Sequence, residues 1–115
     1  MMRGDIYWTD FAPRSGSEQT GRRPAIVMTD DVYNLNARWM SIIVVPMSTS
    51  PKQARRGPTA VEIPGAEAGL PRTGVAVCHQ VTTVDRSKLL KRMGSLPERL
   101  LASVSEGVKA AMDLP

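Results

Sequence analysis

The hydrophobic pattern of this chain changes period once, near residue 95, and that change limits the fold more than any other feature. Upstream, apolar residues fall in short runs separated by Gly, Pro, Ser and Asn. Downstream, Leu96, Leu100, Val104, Val108 and Met112 recur every four residues, with Leu101 and Ala111 widening the stripe. The first pattern builds strands and the second builds one amphipathic helix. At 115 residues and 42% hydrophobic content there is room for one core, so residues 1–115 are expected to form a single domain.

The strand runs can be placed. Residues 5–11 (DIYWTDF) are rich in β-formers and end at Pro13. Residues 14–21 form a polar Gly/Ser loop. Residues 24–29 (PAIVMT) are apolar without alternation, which predicts burial on both faces. Residues 30–38 read as a turn or short helix. Residues 39–47 (WMSIIVVPM) are the strongest strand signal, with Pro46 marking an edge or bulge. Residues 48–58 read as an exposed loop, residues 59–63 as a half-buried strand and residues 66–74 as a connection. Residues 75–81 read as a strand that puts Gln80 and His79 on opposite faces, and residues 91–96 as a short last strand. Ser95, Pro97 and Glu98 fit a helix start, with Ser95 as the cap. Gly107 within the helix costs about 1 kcal/mol relative to Ala. The sum is a mainly β domain with a C-terminal α-helix, a small barrel or bent sheet plugged by the helix.

Several chemistries are excluded on composition. One histidine, His79, cannot supply a two-histidine acid/base pair, and with a single cysteine, Cys78, there is no structural zinc site or disulfide framework. The glycines do not form a nucleotide-binding pattern. No apolar run approaches the roughly 20 residues of a membrane span. No metal and no cofactor are expected, and a cytoplasmic location is. The balance of 15 Lys+Arg against 11 Asp+Glu gives a net charge of +4, compatible with a polyanionic partner.

Specificity enters with Arg3-Gly4-Asp5-Ile6-Tyr7-Trp8, then Gly16-Ser17-Glu18-Gln19, then Gly21-Arg22-Arg23-Pro24-Ala25-Ile26-Val27. Asn34, the segment Val44-Val45-Pro46-Met47-Ser48-Thr49-Ser50, the stretch Leu70-Pro71-Arg72 and the later Gln80, Asp85-Arg86 and Gly94 follow in order. This series resembles the MazF/PemK family of toxin endoribonucleases. The resemblance implies a compact SH3-like barrel (CcdB/Kid/MazF-like) that pairs as a homodimer. It also implies metal-independent, sequence-specific cutting of single-stranded RNA, and a cognate, MazE-like antitoxin that blocks the RNA groove. By position it implies Arg23 and Ser48 as catalytic residues with Glu18 on the loop, and Gln80, Thr49, Ser17 and Gln19 among the RNA-binding residues. Where family members often carry an acid before the glutamine, this chain has His79.

The residue chemistry is consistent with those roles. Metal-free cleavage uses the ribose 2′-OH as nucleophile and needs a proton acceptor, a proton donor and cationic support for the phosphorane. A guanidinium offers a planar fork matched to phosphate oxygens, and its pKa above about 12 makes Arg23 a clamp rather than a base. Glu18 and His79 both remain candidates for the acceptor. Arg55 and Arg56 suit either a solvated loop tip or RNA-phosphate contact. Trp8 reads as a core residue and Cys78 as an inert buried one. Two other classes compete: a gyrase-targeting, protein-binding toxin on the same barrel, and a non-catalytic nucleic-acid-binding module. An acidic, flexible antitoxin segment is the expected inhibitor of a basic groove.

Overall fold

The computed structural model describes residues 1–12, 21–55 and 57–115. Among the described residues seven antiparallel strands make one continuous sheet: β1 (Asp5–Asp10), β2 (Arg22–Val27), β3 (Ser41–Ser48), β4 (Ala60–Ile63), β5 (Gly74–Val77), β6 (Thr82–Asp85) and β7 (Leu89–Ser95). Three single-turn helices, α1 (Asp31–Asn34), α2 (Pro51–Ala54) and α3 (Gly65–Ala68), lie in connections, and α4 (Glu98–Met112) closes the chain. The order across the sheet is β4-β5-β3-β2-β1-β7, with β6 also pairing β3.

β3 is the shared element. Its first half, Ser41 to Val44, pairs β6, while Met47 and Ser48 pair β5, and Val44 to Pro46 pair β2 on the other side. Pro46 therefore falls at the changeover between β6 and β5, where a missing N–H costs the ladder least. The expected irregularity is there, inside a central strand and fully buried, not at an edge.

Apolar residues fill both sides of this sheet. On one side Ile6, Ile26, Val45 and Met47 pack against Leu96, Leu100 and Val104 of the α4 segment; on the other Phe11, Ala25, Val27, Ile42, Val44, Val84 and Leu89 form a second cluster. Ala25, Ile26 and Val27 are all fully buried, as the unbroken apolar run of that strand predicts. Arg86 ties the connections down. Its Nε donates to the Trp39 carbonyl at 2.7 Å and its Nη2 to the carbonyls of Tyr33, Asn34 and Asn36 at 3.0–3.2 Å, covering the C-terminal end of α1.

Several expectations are corrected. Ser95 does not cap the helix: it ends β7, paired with Asp5, and the helix cap is Pro97, with no side-chain hydrogen bond. The strand expected over residues 75–81 stops at Val77 and tightens into a turn, Cys78–Gln80, under α4. β6 was not foreseen, because Val84 is its one buried residue. The stretch expected as a plain loop over residues 48–58 contains α2, and the connection over residues 66–74 overlaps α3. Among the described residues no helix is long and apolar enough to cross a membrane.

Gly107 has a packing reason. A Cβ built there would sit 2.6 Å from Cys78 Sγ and 3.2 Å from Cys78 Cβ. The helix comes this close because that position has no side chain. Cys78 is fully buried beneath it, its Sγ 3.6 Å from the Val104 carbonyl, and burial pushes the thiol up to about 11. Helix propensity alone predicts that Gly107→Ala stabilises the domain by about 1 kcal/mol. Packing predicts the opposite sign, a loss of about 1–2 kcal/mol, because the new methyl has nowhere to go. Urea unfolding measures the sign, and the Gly107→Ala, Cys78→Ala pair is expected to lose less than the two single losses added.

Candidate functional site

The β2–β3 ladder brings the start of one strand to the end of the other. Ala25 faces Pro46; continuing that register sets Pro24 beside Met47 and Arg23 beside Ser48. Pro24 holds Arg23 in extended backbone, so the side chain leaves the strand at a fixed angle. Arg23 Nη1 donates to the Met47 carbonyl at 3.5 Å, the carbonyl of the peptide that joins Met47 to Ser48. The guanidinium is thus held against the backbone of the serine.

Ser48 is nearly buried, and its Oγ accepts a hydrogen bond from the Ser50 N–H at 3.0 Å. That bond ends the strand in a local turn and fixes the hydroxyl rotamer. It uses an oxygen lone pair and leaves the hydroxyl proton available to donate. A guanidinium and a hydroxyl donor side by side form a phosphate-binding pair.

Both residues line a cavity of about 360 Å³ at this end of the barrel. Thr49 and Arg22 join them there, and the cavity is closed by Trp8, Leu70, Pro71, Arg72 and Met93. Of the residues singled out by sequence, then, the fold brings Arg23, Ser48 and Thr49 together. Gln80 and Arg55 do not line this cavity. Gln80 is the half-buried last residue of the turn after β5, and Arg55 is exposed at the end of α2. His79 is exposed on the same turn, so strand alternation does not govern where it and Gln80 point. Glu18, Ser17, Gln19 and Arg56 lie outside the described residues.

Sequence reasoning put Trp8 in the core and gave Arg22 and Arg72 no role in the site. Trp8 is half-buried on the cavity wall, not in the core where its strand pattern put it. Arg22 stood next to the matched arginine, and that adjacency was a usable signal. Arg72 stood in a connection with no periodicity, and only the folded loop reveals its neighbours.

That loop is held by two close backbone approaches. A Cβ at Gly65 would lie 2.6 Å from the Arg72 carbonyl carbon and 3.0 Å from the Leu70 oxygen. At Gly94 on β7 it would lie 2.0 Å from the Ala68 oxygen. Gly69 ends α3 in the left-handed region at φ 77°, and the Leu70 N–H returns to the Gly65 carbonyl at 2.9 Å. Gly65 N–H also donates to Thr73 Oγ1 at 3.2 Å. Leu70, Pro71 and Arg72 are therefore a preset wall.

A mainly β fold closed by a C-terminal helix agrees with what similarity to known proteins shows. Residues 2–112 match the family described as PemK-like, MazF-like toxin of type II toxin-antitoxin system. The chain is 32% identical over 112 residues to endoribonuclease MazF6 of Mycobacterium tuberculosis, covering 97% of this chain and 96% of that protein. It superposes on the crystal structure of MazF from Deinococcus radiodurans with a TM-score of 0.81 at 27% identity, over 99% and 97% of the two chains. On a MazE-MazF crystal structure from the same organism the TM-score is 0.75 at 25% identity, over 100% of this chain and 97% of that one. This chain belongs to the PemK-like, MazF-like toxin family.

Gly65→Ala is expected to push the Leu70–Arg72 backbone away from α3. The overpacking should lower stability by about 1–3 kcal/mol, measured by thermal or urea unfolding.

Proposed function

We propose that this chain is a sequence-specific, metal-independent endoribonuclease, the toxin of a toxin–antitoxin pair, cutting single-stranded RNA in the cytoplasm. The observation that carries this reading is the placement of Arg23 and Ser48 side by side on one cavity wall. Arg23 clamps the non-bridging oxygens of the scissile phosphate, and Ser48 donates its hydroxyl proton to the same group. The ribose 2′-oxygen attacks phosphorus, the bond from phosphorus to the 5′-oxygen breaks, the departing oxygen takes a proton from solvent water, and the products are a 2′,3′-cyclic phosphate and a 5′-OH. Charge that builds on the phosphorane meets donors already in place, which is the largest single contribution such a site makes. The proton released by the 2′-OH goes to Glu18, to His79 or to another group at the site, and Glu18→Gln and His79→Gln test the first two. Gln80, Thr49, Ser17, Gln19, Arg55 and Arg56 are proposed to contact the RNA outside the reacting phosphate.

The test is incubation of the pure protein with a long single-stranded RNA in EDTA, followed by end-group analysis of the fragments. Discrete cuts with cyclic phosphate ends are expected. Ser48→Ala should lower kcat on the order of 100-fold to 1,000-fold, and Arg23→Ala at least as much, with circular dichroism spectra unchanged. Gyrase arrest without RNA cuts would replace this reading with the protein-binding one.

A cognate antitoxin with an acidic flexible segment is proposed as the inhibitor, by analogy with the MazE-MazF complex. A homodimer is proposed as the working unit. Its support is a second cavity of about 410 Å³, lined in part by Met28, Ile43, Val81, Val108 and Met112, of which Ile43 and Met112 are 42% and 55% exposed. An apolar face of this kind favours a partner over water. Light scattering is expected to give twice the chain mass, and Ile43→Glu with Met112→Glu is expected to give the chain mass.

A further inference from the structure

The sheet face covered by α4 continues past the helix's close contact with it. Val45 and Met47 of β3 cluster with Leu100 and Val104 of α4, and strand alternation puts Ile43 on the same face. Ile43 is nonetheless 42% exposed, because helix and sheet are parted there by the cavity of about 410 Å³ that Ile43, Val108 and Met112 line. Among the described residues Arg3 is the one charged side chain of that lining. Its Nε donates to the Met28 carbonyl at 3.2 Å and its Nη2 to Ser105 Oγ at 2.7 Å, both neutral acceptors. Among the described residues the guanidinium forms no ion pair and its Nη1 has no acceptor.

A cation at the edge of an apolar cavity costs little while water reaches it. It costs much once a partner covers it, unless that partner brings an acceptor. A second copy related by a two-fold axis presents the same patch, so the counter-charge has to lie on this face too. Two acids there are already engaged: Asp30 caps α1 through the Val32 N–H, and Asp31 accepts from the Arg3 N–H at 2.6 Å and from Asn34 Nδ2 at 3.0 Å. Asp113 directly follows cavity-lining Met112 and is exposed, and its carboxylate forms no ion pair among the described residues. It is also the one non-glycine residue among them with positive φ, at 54°. Asp tolerates that left-handed turn, which the Leu114 N–H secures on the Lys109 carbonyl at 2.9 Å. The carboxylate therefore leaves the helix end at a set place. Within one chain it cannot meet Arg3, because Ser105, where the guanidinium is held, lies about 12 Å of helix rise away.

We propose that Arg3 and Asp113 form a reciprocal ion pair between two copies of this chain. A two-fold axis passing beside α4, midway between Ser105 and Asp113, runs the two helices antiparallel. It sets each Asp113 against the other copy's Arg3 while Val108 and Met112 close the cavity. The proposal rests on the homodimer reading and adds the contact that fixes how the copies are aligned. Met28 and Ser105 supply the neutral acceptors that hold the guanidinium in place before the partner arrives.

Light scattering and sedimentation on the full chain test the pair, with circular dichroism as the check on folding. Asp113→Asn keeps a residue that tolerates the left-handed backbone and removes the charge, and is expected to weaken the dimer about ten-fold. Arg3→Glu and Asp113→Lys each oppose like charges twice in their own dimers, and each is expected to give mainly the chain mass. Mixed in equal amounts they are expected to give twice the chain mass, since one contact then joins the two introduced charges and the other joins the native Arg3 and Asp113. A purely structural role for either residue cannot produce that rescue. Single variants that keep the wild-type dissociation constant, or folded variants that stay monomeric on mixing, overturn the pair and leave the homodimer intact. A wild type of single-chain mass at all concentrations overturns both. Weaker binding of an acidic peptide by Arg3→Glu, with the Asp113→Asn dimer unchanged, also overturns the pair and assigns Arg3 to the peptide. Should Arg3→Glu fail to fold, Asp113→Asn and Asp113→Lys, which leave the bonds of Arg3 in place, decide the question.

Discussion

Strand β3 has to satisfy three neighbours in eight residues, and the geometry of the site follows from how it does so. β2 lies along one side of it, while β6 and β5 share the other side, with Pro46 between them. Ile42, Val44 and Val45 are fully buried, each worth roughly 1.5–3 kcal/mol relative to exposure. A register slip of one residue would turn all of them over at once. That cost locks the β2–β3 register, and the register places Arg23 beside Ser48.

Residues that carry the family likeness thus divide by what they touch. Arg86 donates to four backbone carbonyls and holds the α1 connection to the barrel. Asn34 is buried, with its Nδ2 donating to the Thr29 carbonyl at 2.6 Å. Gly94 lets the loop after α3 reach β7. These positions preserve a shape. Arg23, Ser48 and Thr49 instead face a cavity.

The sequence disclosed the elements whose burial is uniform. The run over residues 24–29 and the start of the α4 stripe, Leu96, Leu100 and Val104, both name their own environment and lie close to where they were expected, while Met112 at the end of the stripe is exposed. It disclosed much less where partner choice decides. Thr82–Asp85 is a strand because β3 pairs with it, Ser95 is a strand end because Asp5 claims it, and Cys78 turns because α4 sits on it. The same limit applied to the site. Arg23 and Ser48 were legible through resemblance, and their proximity through strand pairing. Trp8 and Arg72 were not, since alternation states which side of a strand a residue occupies but not whether that side is filled.

The seat of Ser48 at the end of β3 has a consequence for how this protein fails. Local opening starts where few contacts hold the backbone, at short connecting helices and chain ends, and reaches the innermost ladder only with global unfolding. The serine pairs Val75 of β5 and the arginine pairs Thr9 of β1, at the end of that ladder. Fraying of α1 or of the last residues would leave Arg23 and Ser48 where they are, so on the proposed reading partial damage by heat or proteolysis dulls substrate choice before it stops cutting.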